Sequence, residues 1–244
     1  MRDLTYTRYE LVRILRNRRF FIFSLGFPLV LYFVIAGPNR NVDDFIGTGV
    51  SAPLYYMVGL AAFGTMSSML SAGTRISAER AAGWNRQLRI TPLTTRSYFR
   101  AKVVTAYLVS LLTVGVLYVS GVALGVRLPA STWLEMTGLL IVGLIPFAIL
   151  GIVMGHLLNS DTVGAAVGGT TGLLALISGT WFPLGNGVLH DIAQVLPSYW
   201  LVQANQVALG GHAWGALGWT VVAAWSVGLA VIAARVFRRD TERV

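Results

Sequence analysis

The chain has 244 residues, of which 55% are hydrophobic and 12% charged, and its formal net charge is +9 at pH 7. A soluble domain of this length carries about twice that charged fraction, so the composition indicates an all-α polytopic membrane protein with one transmembrane domain over residues 1–244. Cysteine is absent, which excludes disulfides and thiolate metal sites.

The first predicted element is an amphipathic helix over residues 3–17. One side of its helical wheel is mostly apolar and the other is charged, with Leu4, Leu11, Val12, Ile14 and Leu15 opposite Asp3, Glu10, Arg13 and Arg16. An apolar span begins directly after this segment. Because a span follows directly, we favour an interfacial helix that lies in the headgroup layer over a soluble helix packed on a partner.

Six uncharged stretches approach or exceed the roughly 20 residues that a helix needs to cross a bilayer. They cover residues 20–36, 53–74, 103–126, 136–158, 163–181 and 213–234. Pro28 and Pro146 lie inside the first and the fourth stretch, where each predicts a kink. The sequence therefore predicts six transmembrane helices with both termini on one side.

The basic residues predict which side that is. Seventeen of the 19 lie in three segments that share one side: Arg2, Arg8, Arg13, Arg16, Arg18 and Arg19; Arg75, Arg80, Arg86, Arg89, Arg96, Arg100 and Lys102; Arg235, Arg238, Arg239 and Arg243. Only Arg40 and Arg127 are left for the other side. The positive-inside rule then places both termini in the cytoplasm, and the net charge reports topology rather than nucleic-acid binding.

Two sets of small or polar residues inside the spans have two interpretations each. Thr65, Ser68, Ser71 and Thr171 are candidates for a substrate path, or their hydroxyls bond back to their own helix. The glycines Gly164, Gly168 and Gly172 recur every four residues, which suits either a dimer seam or packing within the chain.

Residues 182–211 are irregular and rich in aromatic residues and glycine. A short amphipathic helix is predicted from Val188 to Leu196, ending before Pro197. Tyr199, Trp200 and Trp214 suit an interfacial aromatic belt. We therefore expect an outer, re-entrant segment whose backbone is buried in protein or faces water.

The sequence lacks the motifs of common catalytic and nucleotide-binding sites. The only lysine, Lys102, stands between alanine and valine, so there is no G-x-x-x-x-G-K-[ST] loop. The histidines His156, His190 and His212 are scattered and form no zinc-binding pattern. We therefore expect no catalytic residue, no metal and no cofactor in this chain.

The basic segment before the third span predicts a second cytoplasmic amphipathic helix. Ala81, Trp84 and Leu88 form a narrow apolar stripe among charged residues. Thr91 is placed to cap a new helix with Pro92 at its first position, and that helix continues into the third span. Such a joint would transmit a cytoplasmic push into the membrane.

These residues resemble the membrane subunits of type-2 ABC exporters, the drug-resistance transporter permeases. The resemblance rests on two sets: Glu79, Arg80, Gly83, Gln87, Leu88, Thr91, Pro92 and Lys102; and Ser178, Gly179, Trp181, Phe182, Pro183, Ile192, Ala193, Leu196, Pro197, Tyr199, Gly210 and Gly211. Their order and spacing extend the resemblance over essentially the whole chain.

The resemblance implies a multi-pass protein of the bacterial inner membrane that pairs with an identical or homologous permease. Two separate ATP-binding subunits would bind ATP and Mg²⁺. Residues 78–92 would form the coupling helix, contacting the ATPase through Glu79, Arg80, Gly83, Trp84, Gln87, Leu88, Thr91 and Pro92. The first, second and fifth spans would line the path and the dimer seam.

The substrate expected on this resemblance is an amphiphilic drug, an antibiotic or a lipid-like molecule moving out of the cytoplasm or inner leaflet. A glycan or lipid-linked polymer exporter is the close alternative. An intramembrane lipid-modifying enzyme and an ion channel are weaker alternatives, because the sequence offers neither a nucleophile with a base nor a polar ring.

Overall fold

The structure is a computed structural model that describes residues 2–17, 22–47, 49–84, 87, 90–91, 93–209 and 214–242. Within these ranges the regular elements are all helical. They are α1 (Arg2–Leu15), a π-helical turn (Ile22–Gly26), α2 (Phe27–Ala36), α3 (Ala52–Ala81), α4 (Thr95–Ala123), α5 (Ala130–Gly143), α6 (Ile145–Leu157), α7 (Ser160–Ile177), α8 (Val188–Gln194), α9 (Pro197–Gln203), a 3-10 helix (Ala204–Leu209) and α10 (Ala216–Glu242).

Helix α3 is the centre of the bundle. It packs against α2, α4, α6 and α7, and most of its side chains are buried. Ser51 precedes it in an extended conformation and Pro53 lies in its first turn, which suits a helix start. Its end is set by Gly83, whose φ of 69° lies in the left-handed region that favours glycine.

Four segments are long and apolar enough to cross a membrane among the residues described. They are Arg96–Ala123, Ala130–Leu157, Ser160–Ile177 and Ala216–Val236. The apolar helix at the first predicted span covers only Ser24–Ala36. Helix α3 is long enough, but its tyrosines, hydroxyls and glycines make it less apolar, as a helix surrounded by other helices can be. Spans 20–36 and 53–74 therefore stay predictions.

Both prolines predicted to kink a span lie at helix starts. Pro146 is in the first turn of α6, and the break at Leu144 separates α6 from α5. Pro28 is in the first turn of α2, directly after the π-helical turn. Proline has no backbone N–H to donate to the preceding turn, so the helix is interrupted where the sequence predicts it.

The structure differs from the sequence predictions at both ends of the basic loop. Helix α3 continues through residues 78–81, so the predicted coupling helix 78–92 does not begin as a separate element. The cap of α4 is Thr94, whose hydroxyl accepts a hydrogen bond from the Ser97 N–H at 3.2 Å. The predicted cap at Thr91 is therefore wrong by three residues.

Helix α1 has about the expected extent, and one residue of its charged side is buried. The helix packs against α4 and buries Glu10 together with Ile14. A cation on α4 draws the Glu10 carboxylate inward. Val12 and Leu15, on the apolar side, are not covered by the rest of the described chain, so the interfacial placement of α1 stays a prediction.

Candidate coupling site

A buried lysine is the centre of the charged contacts at the C-terminal end of α3. Lys102, on α4, has 0% exposure, and its Nζ donates to Glu10 Oε1 and to Glu79 Oε1, each at 2.6 Å. Glu10 comes from α1 and Glu79 from the last turn of α3, so one ammonium group joins three helices. A buried charge needs such partners because its desolvation costs several kcal/mol, on the order of 5, when it is unpaired.

Two further side chains complete this group. Arg13 Nη1 donates to Glu79 Oε1 at 2.7 Å, and the Tyr98 hydroxyl donates to Glu79 Oε2 at 2.6 Å. The Lys102 ammonium also lies 5.2 Å from the centre of the Tyr98 ring. Both carboxylate oxygens of Glu79 are thus occupied. We call Glu10, Arg13, Glu79, Tyr98 and Lys102 the ion cluster.

The ion cluster keeps Glu79 ionised. Burial alone would raise the pKa of this carboxyl, but the charge of Lys102 opposes that effect. Hydrogen bonds from Lys102, Tyr98 and Arg13 favour the charged form as well, and the net result is a pKa below the ordinary value. At neutral pH Glu79 is therefore ionised.

Arg80, the next residue, contacts another helix of the bundle. Its Nη1 donates to the backbone oxygens of Gly155 at 3.0 Å and His156 at 2.5 Å, and Ser77 Oγ donates to Leu158 O at 2.8 Å. These carbonyls belong to the end of α6, where a helix leaves its last acceptors unsatisfied. A cation there also complements the helix dipole. Arg80 therefore ties α3 to α6.

Glycines bring α3 and α6 into direct backbone contact just before this tie. A Cβ atom at Gly73 would lie 2.3 Å from Gly151 O, and one at Gly155 would lie 2.7 Å from Gly73 O. Real Cβ atoms do not approach that closely. The two helices are therefore fixed both by close packing and by the Arg80 hydrogen bonds.

The remaining predicted coupling residues follow Gly83 and are more exposed. Trp84 is 37% exposed and lies within hydrogen-bonding reach of the Tyr6 hydroxyl on α1. Gln87 and Thr91 are exposed. Leu88 and Pro92 lie outside the described residues. The predicted set therefore divides into a buried part, Glu79 and Arg80, and an accessible part after Gly83.

The hydroxyls predicted to line a substrate path mostly bond within their own helices. Thr65 donates to Ala61 O at 2.7 Å, Ser71 to Ser67 O at 2.7 Å and Thr171 to Val167 O at 2.8 Å. The Ser68 hydroxyl is buried and has no hydrogen-bond partner among the described residues. The hydroxyls of Thr65, Ser71 and Thr171 are therefore used within their own helices, and the substrate path stays a prediction.

The glycines predicted for a dimer seam lie on the open side of α7. Gly164, Gly168 and Gly172 are exposed, and a Cβ atom at any of them would meet nothing within 4 Å. The buried side of α7 carries Val163 and Val167 instead. These glycines are therefore not used for packing within the part of the chain that the structure describes.

Four members of the ion cluster are absent from the predicted coupling residues: Glu10, Arg13, Tyr98 and Lys102. The balance of charges in the sequence is the signal that could identify Glu10 as a partner of Lys102. Lys102 stands at the edge of an apolar span, where a cation needs an acid, and Glu10 is one of few acids in the basic half of the sequence. Within the described ranges, no three His, Cys, Asp or Glu side chains are grouped to hold a metal ion.

Comparison with known proteins shows the family of the chain. The family model described as "ABC-2 family transporter protein" matches residues 38–236. YvfS of Bacillus subtilis (strain 168), whose name classes it as a transport permease, is 31% identical over 196 residues, covering 78% of each chain. Members of this family are transporter membrane subunits that partner a separate ATP-binding chain and catalyse nothing themselves. The chain is therefore a multi-pass membrane protein of the ABC-2 transporter family, a transmembrane permease subunit of an ABC transporter.

Proposed function

We propose that the chain is the permease of an ATP-driven exporter and that the ion cluster carries the push of the ATPase into the membrane. The observation that supports this is the position of the cluster. It joins α1, α3 and α4 directly before Gly83, where the accessible segment with Trp84 and Gln87 begins. A displacement of that segment would reach three helices at once.

In this proposal the ATPase binds the accessible part of segment 78–92. Glu79 and Arg80 lie inside the bundle and do not contact the ATPase. Glu79 holds α1 and α4 through Lys102, and Arg80 holds α6 through its last carbonyls. Their role is to position helices rather than to touch the ATPase. Gly83 is the point at which the direction of the chain changes between the two parts.

The orientation in this proposal follows the arginines. Both termini and the ion cluster face the cytoplasm of a bacterial cell, α1 lies in the headgroup layer, and α2 with its π-helical turn and α3 complete six spans. Segment 182–211 is then the outer re-entrant part. The distribution of the basic residues supports this orientation, because 17 of 19 lie on one side.

The assembly we propose contains two permeases and two ATP-binding subunits. The open side of α7, with Gly164, Gly168 and Gly172, is the contact between permeases, since small residues allow helices to approach closely. The cargo is an amphiphilic drug, antibiotic or lipid-like molecule. The apolar composition of the spans supports this choice of cargo.

The test is isolation of the tagged chain from its own cell membranes with mass spectrometry of bound proteins. We expect an ABC ATP-binding subunit to co-purify, and ATP-driven uptake of the amphiphilic dye Hoechst 33342 into inside-out vesicles containing the complex. Trp84→Ala with Gln87→Ala should reduce ATPase binding about tenfold, because both residues lie on the accessible segment.

The matched control is Phe182→Ala, which removes an exposed aromatic side chain from the opposite end of the bundle. It should leave ATPase binding unchanged. Failure of any ABC ATPase to bind the wild-type chain contradicts the proposal. Equal ATPase binding by the double variant and the wild type contradicts the assigned contact segment.

A further inference from the structure

A cavity of about 470 Å³ lies at the N-terminal end of α3, far from the ion cluster. At a rise of about 1.5 Å per residue, Tyr55 in the cavity wall and Glu79 in the cluster lie about 36 Å apart along the helix. The cavity volume falls within the range of small-molecule sites, roughly 300–1,000 Å³. Its walls come from the loop before α3, from α3, from the segment after α7, and from α8 and α9.

The walls of this cavity are fixed by hydrogen bonds between separate segments. The Tyr55 hydroxyl donates to Gly179 O at 2.5 Å, and Ser178 Oγ lies 2.5 Å from Ser198 Oγ. His190 stacks edge-on against Tyr199, with ring centres 5.5 Å apart. The cavity is therefore pre-formed, which lowers the entropy cost of binding.

One residue of the wall has an unfavourable backbone conformation. Ile46 has a φ of 53°, which a β-branched residue adopts at a cost of about 1–3 kcal/mol. Its side chain is 67% exposed although it is apolar. Such strain is concentrated at ligand-binding sites, because the surrounding structure must hold the residue in place.

The lining of the cavity carries almost no charge. None of its lining residues is acidic or basic apart from His190, and apolar groups such as Val50, Leu184 and Val202 lie among them. His190 is held in the wall by Gln194, whose amide nitrogen lies 2.6 Å from His190 Nε2. The other ring nitrogen, Nδ1, is buried within the wall and does not open into the cavity.

We propose that this cavity binds an uncharged small molecule with an apolar or aromatic part. That part would be buried against Val50, Leu184 and Val202, which is favourable because apolar surface is removed from water. A charged ligand would lose its hydration without gaining a counter-ion. That this site holds cargo on the outer side rests on the proposed export function; binding itself does not.

The experiment uses the full chain in lipid nanodiscs and saturation-transfer difference NMR. The neutral probe is p-nitrophenyl β-D-glucoside, and the charged probes are p-nitrophenyl phosphate and 4-nitrobenzyl trimethylammonium. We expect a signal for the neutral probe at least threefold above that of either charged probe and of empty nanodiscs.

One variant tests whether the signal comes from this cavity. Gly185→Trp fills it, and a Cβ atom at Gly185 meets nothing within 4 Å, so the chain tolerates the start of the side chain. This variant should reduce the neutral-probe signal at least threefold. Gly215→Trp, at an equally open glycine outside the cavity, is the control and should not.

A neutral-probe signal no larger than that of empty nanodiscs overturns the proposal, as does one that Gly185→Trp leaves unchanged. Equal signals from the charged probes overturn the assigned ligand class. Because no ATPase is present, these outcomes are independent of whether the chain works as an exporter.

Discussion

The two ends of α3 are held by different chemistry. At its C-terminal end, Glu79 and Lys102 form buried ion pairs, and Arg80 bonds to the backbone of α6. At its N-terminal end, Tyr55 bonds to a backbone oxygen, and the neighbouring wall contains uncharged groups. One helix therefore connects a charged anchor with a neutral cavity.

The difference predicts that the C-terminal end of α3 is rigid and that its N-terminal end can rearrange. Buried charges tolerate few arrangements, since losing a partner leaves an uncompensated ion. Neutral hydroxyl and aromatic contacts are weaker and exchange partners more easily. We therefore expect perturbations at the charged end to change the whole bundle, and those at the neutral end to stay local.

The largest expected effect is that of Lys102→Met. It removes the buried cation that Glu10 and Glu79 share and leaves them only the largely exposed Arg13, which should destabilise the chain by about 3–5 kcal/mol. The measurement is thermal unfolding of the purified chain in one detergent. Arg96→Met, an exposed arginine on the same helix, is the control and should change stability by less than about 0.5 kcal/mol. Equal losses of stability in the two variants would mean that Lys102 contributes no more than an exposed arginine.

The next largest loss of stability is expected when glycines that touch another segment, one towards each end of α3, are replaced by alanine. Gly73→Ala places a Cβ atom 2.3 Å from the backbone of α6, and Gly59→Ala places one 2.6 Å from Thr180 O. Overpacking costs about 1–3 kcal/mol. We expect Gly73→Ala to cost more, because α6 is a rigid helix and residue 180 belongs to a turn that can shift.

Unfolding temperatures of both alanine variants measure this, with Gly115→Ala as the control at an open helical position. The control should be neutral or stabilising, since alanine is the better helix former. A larger loss of stability for Gly59→Ala than for Gly73→Ala would mean that the N-terminal end of α3 is the more rigid one.

A single chemical change can be made at both ends. Tyr98→Phe removes a hydrogen bond to the charged Glu79 and should cost about 1.5–3 kcal/mol. Tyr55→Phe removes one to a neutral carbonyl and should cost about 0.5–1.5 kcal/mol. Chemical denaturation of the two variants side by side gives the comparison. Equal costs would show that charge adds nothing at the cluster.

The smallest effect is a pH dependence confined to the charged end. The pKa of Glu79 lies below the 4.5 of a free glutamate, so the folded chain gains stability from its ionised form at neutral pH. That gain falls as the pH drops below about 4.5 towards the folded-state pKa. Unfolding temperatures between pH 3 and 7 should decline at the acid end, and less steeply in Glu79→Gln. Parallel curves would contradict the assignment.

Much of the fold follows from uncharged runs and prolines. Helices α4 to α7 and α10 lie over predicted spans because their sequences leave few alternatives to burial in an apolar layer. The full length of α3 is not evident from the sequence, because the uncharged run stops before the first charged residue, Arg75. The helix continues because Glu79 meets cations from other helices. Such pairing is a property of the assembled bundle and not of the local sequence.

The site was predicted in part. Glu79 and Arg80 were named on the strength of a family resemblance, with roles at a partner surface. In the structure both are engaged inside the bundle, because the helix places them one turn before its exposed end. Glu10 was assigned to a solvent-facing side, since a helical wheel shows periodicity but not which charged neighbour will lie beneath it.

The placement of Lys102 also bears on how the chain is made. Both of its acids, Glu10 and Glu79, precede it in the sequence. During synthesis the carboxylates are therefore already present when the lysine leaves the ribosome. When α4 packs against the earlier helices, the Lys102 ammonium group can therefore pair with both carboxylates at once. The order of the residues along the chain avoids a stage at which this lysine is buried without an acid.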